Sequence, residues 1–254
     1  MKKILKELIS KLGYTVNRID KDTYSYTDIK EPEFWEIYNL CKPYTMTSVE
    51  PMYALYTSVN YIIESNIQGS IVVCGVWRGG SAMLIAEMLS NRNISDRKIY
   101  LFDTFEGMSA PTEHDIDFRG DHASVLLKEN ENNKEESVWC LADLEDVQNN
   151  MRLTDFPEEN IMYIKGKVEN TIPENMPEED IALLHLDTDW YESTKHELQY
   201  LYPKLVINGV LLIDDYGHWE GCRKAVDEYL KENGINILLN RIDGTVRSGQ
   251  KTFI

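Results

Sequence analysis

Five short apolar runs, each closed by a turn and followed by a stretch with helical spacing, constrain this chain more than any other feature. They occupy 70–74, 98–102, 161–164, 181–186 and 210–213 and are built from Ile, Val and Leu with few interruptions. Runs of this length without polar alternation read as strands buried on both faces, which predicts a mostly parallel sheet. Helical stretches between them supply the crossovers that parallel neighbours require. The expected architecture is a doubly wound α/β sheet, in which ligands bind beyond the carboxyl ends of the strands. Ahead of the first run, 47–66 has helical spacing, 16–45 is mixed and reads as a wrap over the core or a ligand, and 1–15 reads as an amphipathic helix.

Composition removes several function classes. The 254 residues suffice for one α/β domain, and 43% hydrophobic with 27% charged residues is ordinary for a globular chain. A net charge of -17 repels phosphate backbones and anionic lipid, so neither nucleic acid nor a membrane surface is an expected partner. Cys41, Cys74, Cys140 and Cys222 form no C-x-x-C pair, which argues against a zinc ribbon or redox motif, and Cys74 reads as a buried free thiol. The amino-terminal residues lack the unbroken apolar stretch of a signal peptide and any membrane-length span, which predicts a cytoplasmic setting.

The unusual residues stand where the strand-end rule places chemistry. After the first run comes Cys74-Gly75-Val76-Trp77-Arg78-Gly79-Gly80-Ser81, a glycine-rich strand-to-helix turn. Trp77 holds the middle position of G-x-G-x-x-G, where a glycine normally lets a pyrophosphate approach; a nucleoside ligand without pyrophosphate would not need it. A tight turn with no ligand has the same signature. Asp103 ends the second run, 23 positions after Gly80, near the spacing at which an acid accepts ribose hydroxyls, although it equally suits a helix cap. Phe105 and Met108 just beyond it are of a kind to flank an adenine ring. Asp187 and Asp189 follow the fourth run, and Asp214 and Asp215 the fifth. Like charges gathered this way repel unless protonated or bridged by a cation, and hard oxygen donors suit Mg²⁺. One such pair is commonly a helix cap; two pairs at one sheet edge favour a metal. His185 reads as a core residue, His218 as either a site or a loop residue, and 109–137, which carries His114 and His122, as a mobile lid or insertion.

The strings PYTMTSVEPMYAL (43–55), CGVWRGGSAMLIAEML (74–89), LFDTFEGM (101–108), IKGKVENTIP (164–173), HLDTDWYEST (185–194) and LYPKLVINGVLLIDDYGHWEGCRKAVDEY (201–229) closely resemble the macrocin-type O-methyltransferases, from about 40 to 230. A weaker similarity extends to catechol and caffeoyl-CoA methyltransferases. The resemblance implies a Rossmann-like class I fold dependent on S-adenosylmethionine (SAM), with a helical cap segment at 1–45 and the methyltransferase domain at 46–254. It implies Mg²⁺ on Asp187, Asp214 and Asp215, and Asp189 as general base beside Asp187. It also implies SAM on Gly75, Trp77, Gly79, Gly80, Ser81 and Asp103, with Thr45, Met46 and Ser48 closing over its methionine end. The acceptor would be a sugar or glycosylated small molecule, and the assembly a homo-oligomer. The chain departs from the family at Val73, where a Glu is usual. A catechol-type enzyme acting on a phenolic diol is the alternative within methyltransferases; a nicotinamide-dependent oxidoreductase is the alternative outside them.

Overall fold

A computed structural model describes residues 26–135 and 137–252. The helix expected over 1–15 lies outside the described residues. Residues Met1–Pro32 and Glu33–Ile254 form two units. In the first, the Ile29 N–H donates to the Tyr26 carbonyl at 3.0 Å and closes a turn. The account below concerns the second.

Its core is a seven-stranded sheet in the order β3-β2-β1-β4-β5-β7-β6. β1 (Ser70–Cys74), β2 (Ile99–Asp103), β3 (Ile161–Lys165), β4 (Ile181–Leu186) and β5 (Leu205–Ile213) run parallel. Every residue of β1 and β4 is buried, which is why these strands carry no alternation. The first and fourth runs have the expected bounds, and the others shift or lengthen. β5 starts five residues before the apolar run that marks it. Asn208 adopts φ +66° there, and pairing to β4 jumps from Leu205 opposite Ile181 to Val210 opposite Leu183. Asn-Gly in sequence signals a turn, but asparagine tolerates the left-handed region, and here it makes an irregularity within a continuing strand.

β6 (Asn240–Arg241) and β7 (Arg247–Gln250) had no counterpart among the apolar runs. They form a hairpin that pairs antiparallel to β5. β5 is therefore an interior strand, and the acids at its carboxyl end have structure on both sides.

Helices cover the sheet. One apolar cluster unites Val72, Cys74, Leu184 and Leu186 of the strands with Leu198 and Leu201 of α7 (Tyr191–Leu201) and Cys222 and Val226 of α8 (Glu220–Glu232). On α2 (Val49–Glu64) the buried positions Met52, Leu55, Tyr56, Val59 and Ile62 recur at helical spacing, and this helix packs on α3 (Gly80–Asn91). Among the described residues no helix is long and apolar enough to cross a membrane. All four cysteines are free, Cys74 buried among them.

Two segments left open by the sequence take a definite form. The mixed segment 16–45 contains a true helix, α1 (Pro32–Cys41), whose Phe34, Ile37, Tyr38 and Cys41 are buried. Pro32 suits its first turn, where a missing N–H is harmless. Phe34 packs against the rings of Tyr53 and Tyr56, with centroids 5.1 and 5.5 Å away. Glu33 takes Arg92 of the α3 terminus at 2.7 Å and the Tyr56 hydroxyl at 2.9 Å. The segment 109–137, read as a mobile lid or insertion, lies between β2 and β3 and is tied into the fold at Asp115. Asp115, wholly buried, accepts the backbone N–H groups of Tyr191 at 2.8 Å and Thr112 at 2.6 Å. A short helix follows, α4 (Ala123–Glu129), and the Trp139 indole donates to Leu127 O at 2.7 Å. An acidic stretch resembles a solvated loop in sequence, but this acid satisfies backbone donors inside the fold.

Phe34 is fully buried among aromatic rings. Phe34→Ala is expected to destabilise the protein by about 3–5 kcal/mol through the cavity it leaves, read as a lowered urea midpoint with unchanged slope.

Candidate active site

The β1–α3 turn is built around Asp103. Its Oδ2 accepts the backbone N–H groups of Val76 at 2.7 Å and Trp77 at 3.2 Å, and its Oδ1 accepts that of Phe105 at 2.7 Å. Burial pushes this carboxyl upward, and the three N–H donors oppose the shift. Gly75, Trp77 and Gly79 have φ of +83°, +45° and +93°, so the turn winds through the left-handed region at three positions. At Gly75 space also decides, because a Cβ there would overlap the Asp187 carbonyl. The consequence is chemical. Two amides that a dinucleotide-binding turn would aim at pyrophosphate point instead at the chain's own carboxylate. The turn therefore offers a binding ligand negative charge.

A strap over 44–48 closes the far side of this turn. A Cβ on Gly80 would come within 2.6 Å of Thr45 Cβ and 2.7 Å of Tyr44 O, so the strap lies directly on the helix start. Arg78 fastens it. Its guanidinium pairs with Asp146 on α5 (Leu144–Met151) at 2.8 and 3.0 Å, reaches Pro43 O at 3.4 Å and lies 5.2 Å from the Tyr44 ring centre.

The four acids converge at the ends of β4 and β5. Asp187 is tied to the end of β1 by its N–H donating to Cys74 O at 2.7 Å. Asp189 has φ +67° and accepts the Trp219 indole N–H at 2.7 Å. Trp219 itself meets Trp190 edge to face at 4.9 Å. His185 Nε2 lies 2.7 Å from Asp214 Oδ1, while its Nδ1 has no partner among the described residues. Val73, opposite His185 in the β1–β4 register, offers that nitrogen nothing polar. Burial, then the neighbouring carboxyls, hold Asp187 and Asp215 well above the usual carboxylate range. Burial pushes Asp189 to about 7. One ligand atom each from His185, Asp187 and Asp214 falls within 4.8 Å of the others. Asp215 turns its carboxyl to Asp189 and Asp187, and its Oδ2 is buried without a partner. Crowded carboxyls share protons to relieve repulsion, which explains that pairing. An orphaned buried oxygen amid three further carboxyls is the donor set a hard divalent cation fits. His185, engaged through Nε2, holds the Asp214 carboxyl from behind.

Turn, strap and acids face one cavity of about 540 Å³. Of the residues singled out by sequence, Thr45, Met46, Ser48, Gly75, Trp77, Gly80, Ser81, Asp103, Asp187, Asp189, Asp214 and Asp215 line it. Gly79 does not; it is the residue from which α3 begins. Phe105 does not either. It is 1% exposed and belongs to the core, whereas Met108 lies on the cavity wall. His218 lines the cavity as well. Sequence reasoning missed Lys167 and Glu169 after β3, Val138 and Cys140, and Asp243, Thr245 and Val246 from the β6–β7 tip. The strand-end rule, applied to β3, would have found the first two. Asp243-Gly244 is a hairpin signal that could have found the last three. That tip is self-braced, with Asp243 Oδ1 accepting the N–H groups of Thr245 and Val246, each at 2.8 Å. It is joined to the site by the Gly217 N–H donating to Thr245 O at 2.8 Å.

The sequence matches the family described as Macrocin-O-methyltransferase (TylF) over residues 37–248. It is 32% identical over 186 residues to demethyldecarbamoylnovobiocin O-methyltransferase of Streptomyces niveus, covering 73% of this chain and 67% of that one. It is 30% identical over 202 residues to the 8-demethyl-8-(2,3-dimethoxy-alpha-L-rhamnosyl)-tetracenomycin-C 4'-O-methyltransferase of Streptomyces olivaceus, covering 80% and 73%. Among solved structures, the O-methyltransferase NovP superposes with a TM-score of 0.72 at 31% identity, covering 83% of each chain.

The raised acids make a prediction with a defined sign. Unfolded, Asp189 loses its proton near 3.8; folded, it keeps it to about 7. Its contribution to stability is therefore complete below the lower value and lost as pH rises through the upper one. In EDTA the melting temperature is expected to fall between about pH 4 and about pH 7, and Asp189→Asn to flatten that fall. Added Mg²⁺ should raise the melting temperature more at the upper end, where fewer protons compete with the ion for the carboxylates.

Proposed function

The chain belongs to the macrocin O-methyltransferase family, and from that membership we propose that it carries the methyl group of SAM to a hydroxyl of a sugar in a glycosylated small molecule, with Mg²⁺ held by Asp187, Asp214 and Asp215. The observation that carries this reading is the single cavity shared by the glycine turn and the four acids. A donor site and an acceptor site that open into one space allow direct in-line transfer.

When bound, SAM supplies a methyl on a cationic sulfur, and Mg²⁺ supplies a charge that lowers the pKa of a nearby hydroxyl. The protein's own groups do the rest. Asp103 and the turn it braces receive the adenosine end, and Thr45, Met46 and Ser48 in the strap hold the methionine end. The taken-up amides of Val76 and Trp77 make the turn unsuitable for a pyrophosphate, which weighs against a nicotinamide cofactor. Asp187, Asp214 and Asp215 orient the acceptor oxygens. Asp189, held by Trp219 Nε1, would accept the hydroxyl proton as the C–O bond forms and the methyl–sulfur bond breaks, its electron pair leaving with the now neutral sulfur. A carboxyl whose pKa lies near 7 is matched to that task at neutral pH.

Two adjacent acceptor oxygens suit this ligand set. The tetracenomycin relative is named for a 4'-hydroxyl beside a methoxy-bearing carbon of the same rhamnosyl ring, so the second oxygen is taken to be either a hydroxyl or an ether.

Calorimetric titration of SAM and its demethylated product is expected to show binding, and a sugar with adjacent oxygens is expected to add heat with Mg²⁺ but not with EDTA. Absence of SAM binding in both conditions would overturn the reading. Asp189→Asn is expected to keep Mg²⁺ and SAM binding and to lower kcat by about 10²–10⁴-fold; normal turnover would remove Asp189 as the base.

A further inference from the structure

Glu197 lies on α7, is 0% exposed, and belongs to none of the groups so far assigned a role. Its Oε1 accepts the Thr188 hydroxyl at 2.8 Å. Its Oε2 is buried with no hydrogen-bond partner among the described residues, and the Cys74 thiol lies beside the carboxyl. Thr188 is the residue between Asp187 and Asp189. One helical turn before Glu197, Ser193 Oγ donates to Thr188 O at 3.2 Å, and the Trp190 N–H reaches the same oxygen at 2.8 Å. Two residues four apart on α7 thus hold one residue by its side chain and its carbonyl.

The residue that follows needs such a hold. Asp189 has φ +67°, a conformation uncommon for residues other than glycine and cheapest among them for Asn and Asp, so a hold on its neighbour helps to keep it there. A carboxyl in a dry core is also expensive where an apolar side chain would pack without a polar penalty. We propose that Glu197 is the positioning residue of this site: through its hydrogen bond to Thr188 it fixes the Asp187-Thr188-Asp189 turn, and with it the direction in which Asp189 presents its carboxyl. The catalytic part of this assignment rests on the methyltransferase reading above; the geometric part does not. A glutamine keeps the Oε1 acceptor that the Thr188 hydroxyl uses, in nearly the same shape. The β1 end enters the same assembly, because Cys74 packs beside Glu197 and its carbonyl accepts the Asp187 N–H. Glu197 therefore stands where the cofactor turn and the acid loop meet.

The Trp219 indole N–H reports the position of Asp189 directly, since it donates to Asp189 Oδ1 at 2.7 Å. Its resonance, assigned with Trp219→Phe, can be followed in ¹H–¹⁵N spectra of the metal-free protein. Thr188→Val and Glu197→Ala are expected to displace that resonance. The same two variants are expected to lower kcat by about 10–100-fold while the KM for SAM stays within about 2-fold, the pattern of a misaimed base. Thr188→Ser and Glu197→Gln keep the hydrogen bond and are expected to behave as wild type in both measurements. Should Glu197→Ala fail to fold, Thr188→Val removes the same hydrogen bond with no buried acid altered. An unmoved Trp219 resonance in Thr188→Val would overturn the proposal, as would equal losses in all four variants. A displaced resonance with unchanged turnover would uphold the positioning of Asp189 and overturn its assignment as base. A wild-type protein that transfers no methyl group would overturn the methyltransferase reading alone, since the spectra still decide the geometry.

Discussion

Four carboxyls brought together inside one fold repel each other, and much of the structure around them answers that repulsion. Asp187 is anchored to the end of β1, Asp189 to an indole and Asp214 to an imidazole, while Asp215 turns its carboxyl to Asp187 and Asp189. Each anchor comes from a different element. The sheet order supplies this, since β4 and β5 are neighbours and both end at the same edge. The antiparallel hairpin beyond β5 completes the enclosure, so the acids sit in a walled cavity rather than on an open edge. A fold that concentrates like charge in a half-buried cavity gains nothing in stability from doing so. The arrangement makes sense as a place prepared for positive charge.

The sheet was legible because its signal is local: apolar runs that are buried on both faces need no partner information to be recognised. The glycine turn and the acid pairs were legible because the strand-end rule says where to look, and the family strings then gave each residue an expected place. What escaped depended on long-range contacts. Phe105 follows the acid that ends β2 as an adenine-flanking ring would, yet its N–H bond to Asp103 accompanies a ring turned into the core. The hairpin strands are short and polar, with exposed Asn240 and Arg241, and owe their existence to pairing, β7 with β5 and β6 with β7, rather than to their own composition. Asp115 reads as one acid among many in an acidic stretch until the Tyr191 N–H it serves is in view. The helix α1 carried its periodicity openly, at Phe34, Ile37, Tyr38 and Cys41, but the Tyr, Asp and Pro residues around it obscured the pattern.

The way Asp103 occupies the amides of the β1–α3 turn has a consequence for selectivity. Turns of this kind commonly attract phosphates, and any mixture of adenine-bearing metabolites contains many that carry them. Here the donors that would welcome a phosphate are closed off by a neighbour's carboxylate before any ligand arrives. A phosphorylated nucleotide would therefore meet a carboxylate where turns of this kind usually offer free amides. A ligand that brings adenosine without a phosphate needs none of those amides, and a positive charge on it would face the carboxylate that holds them.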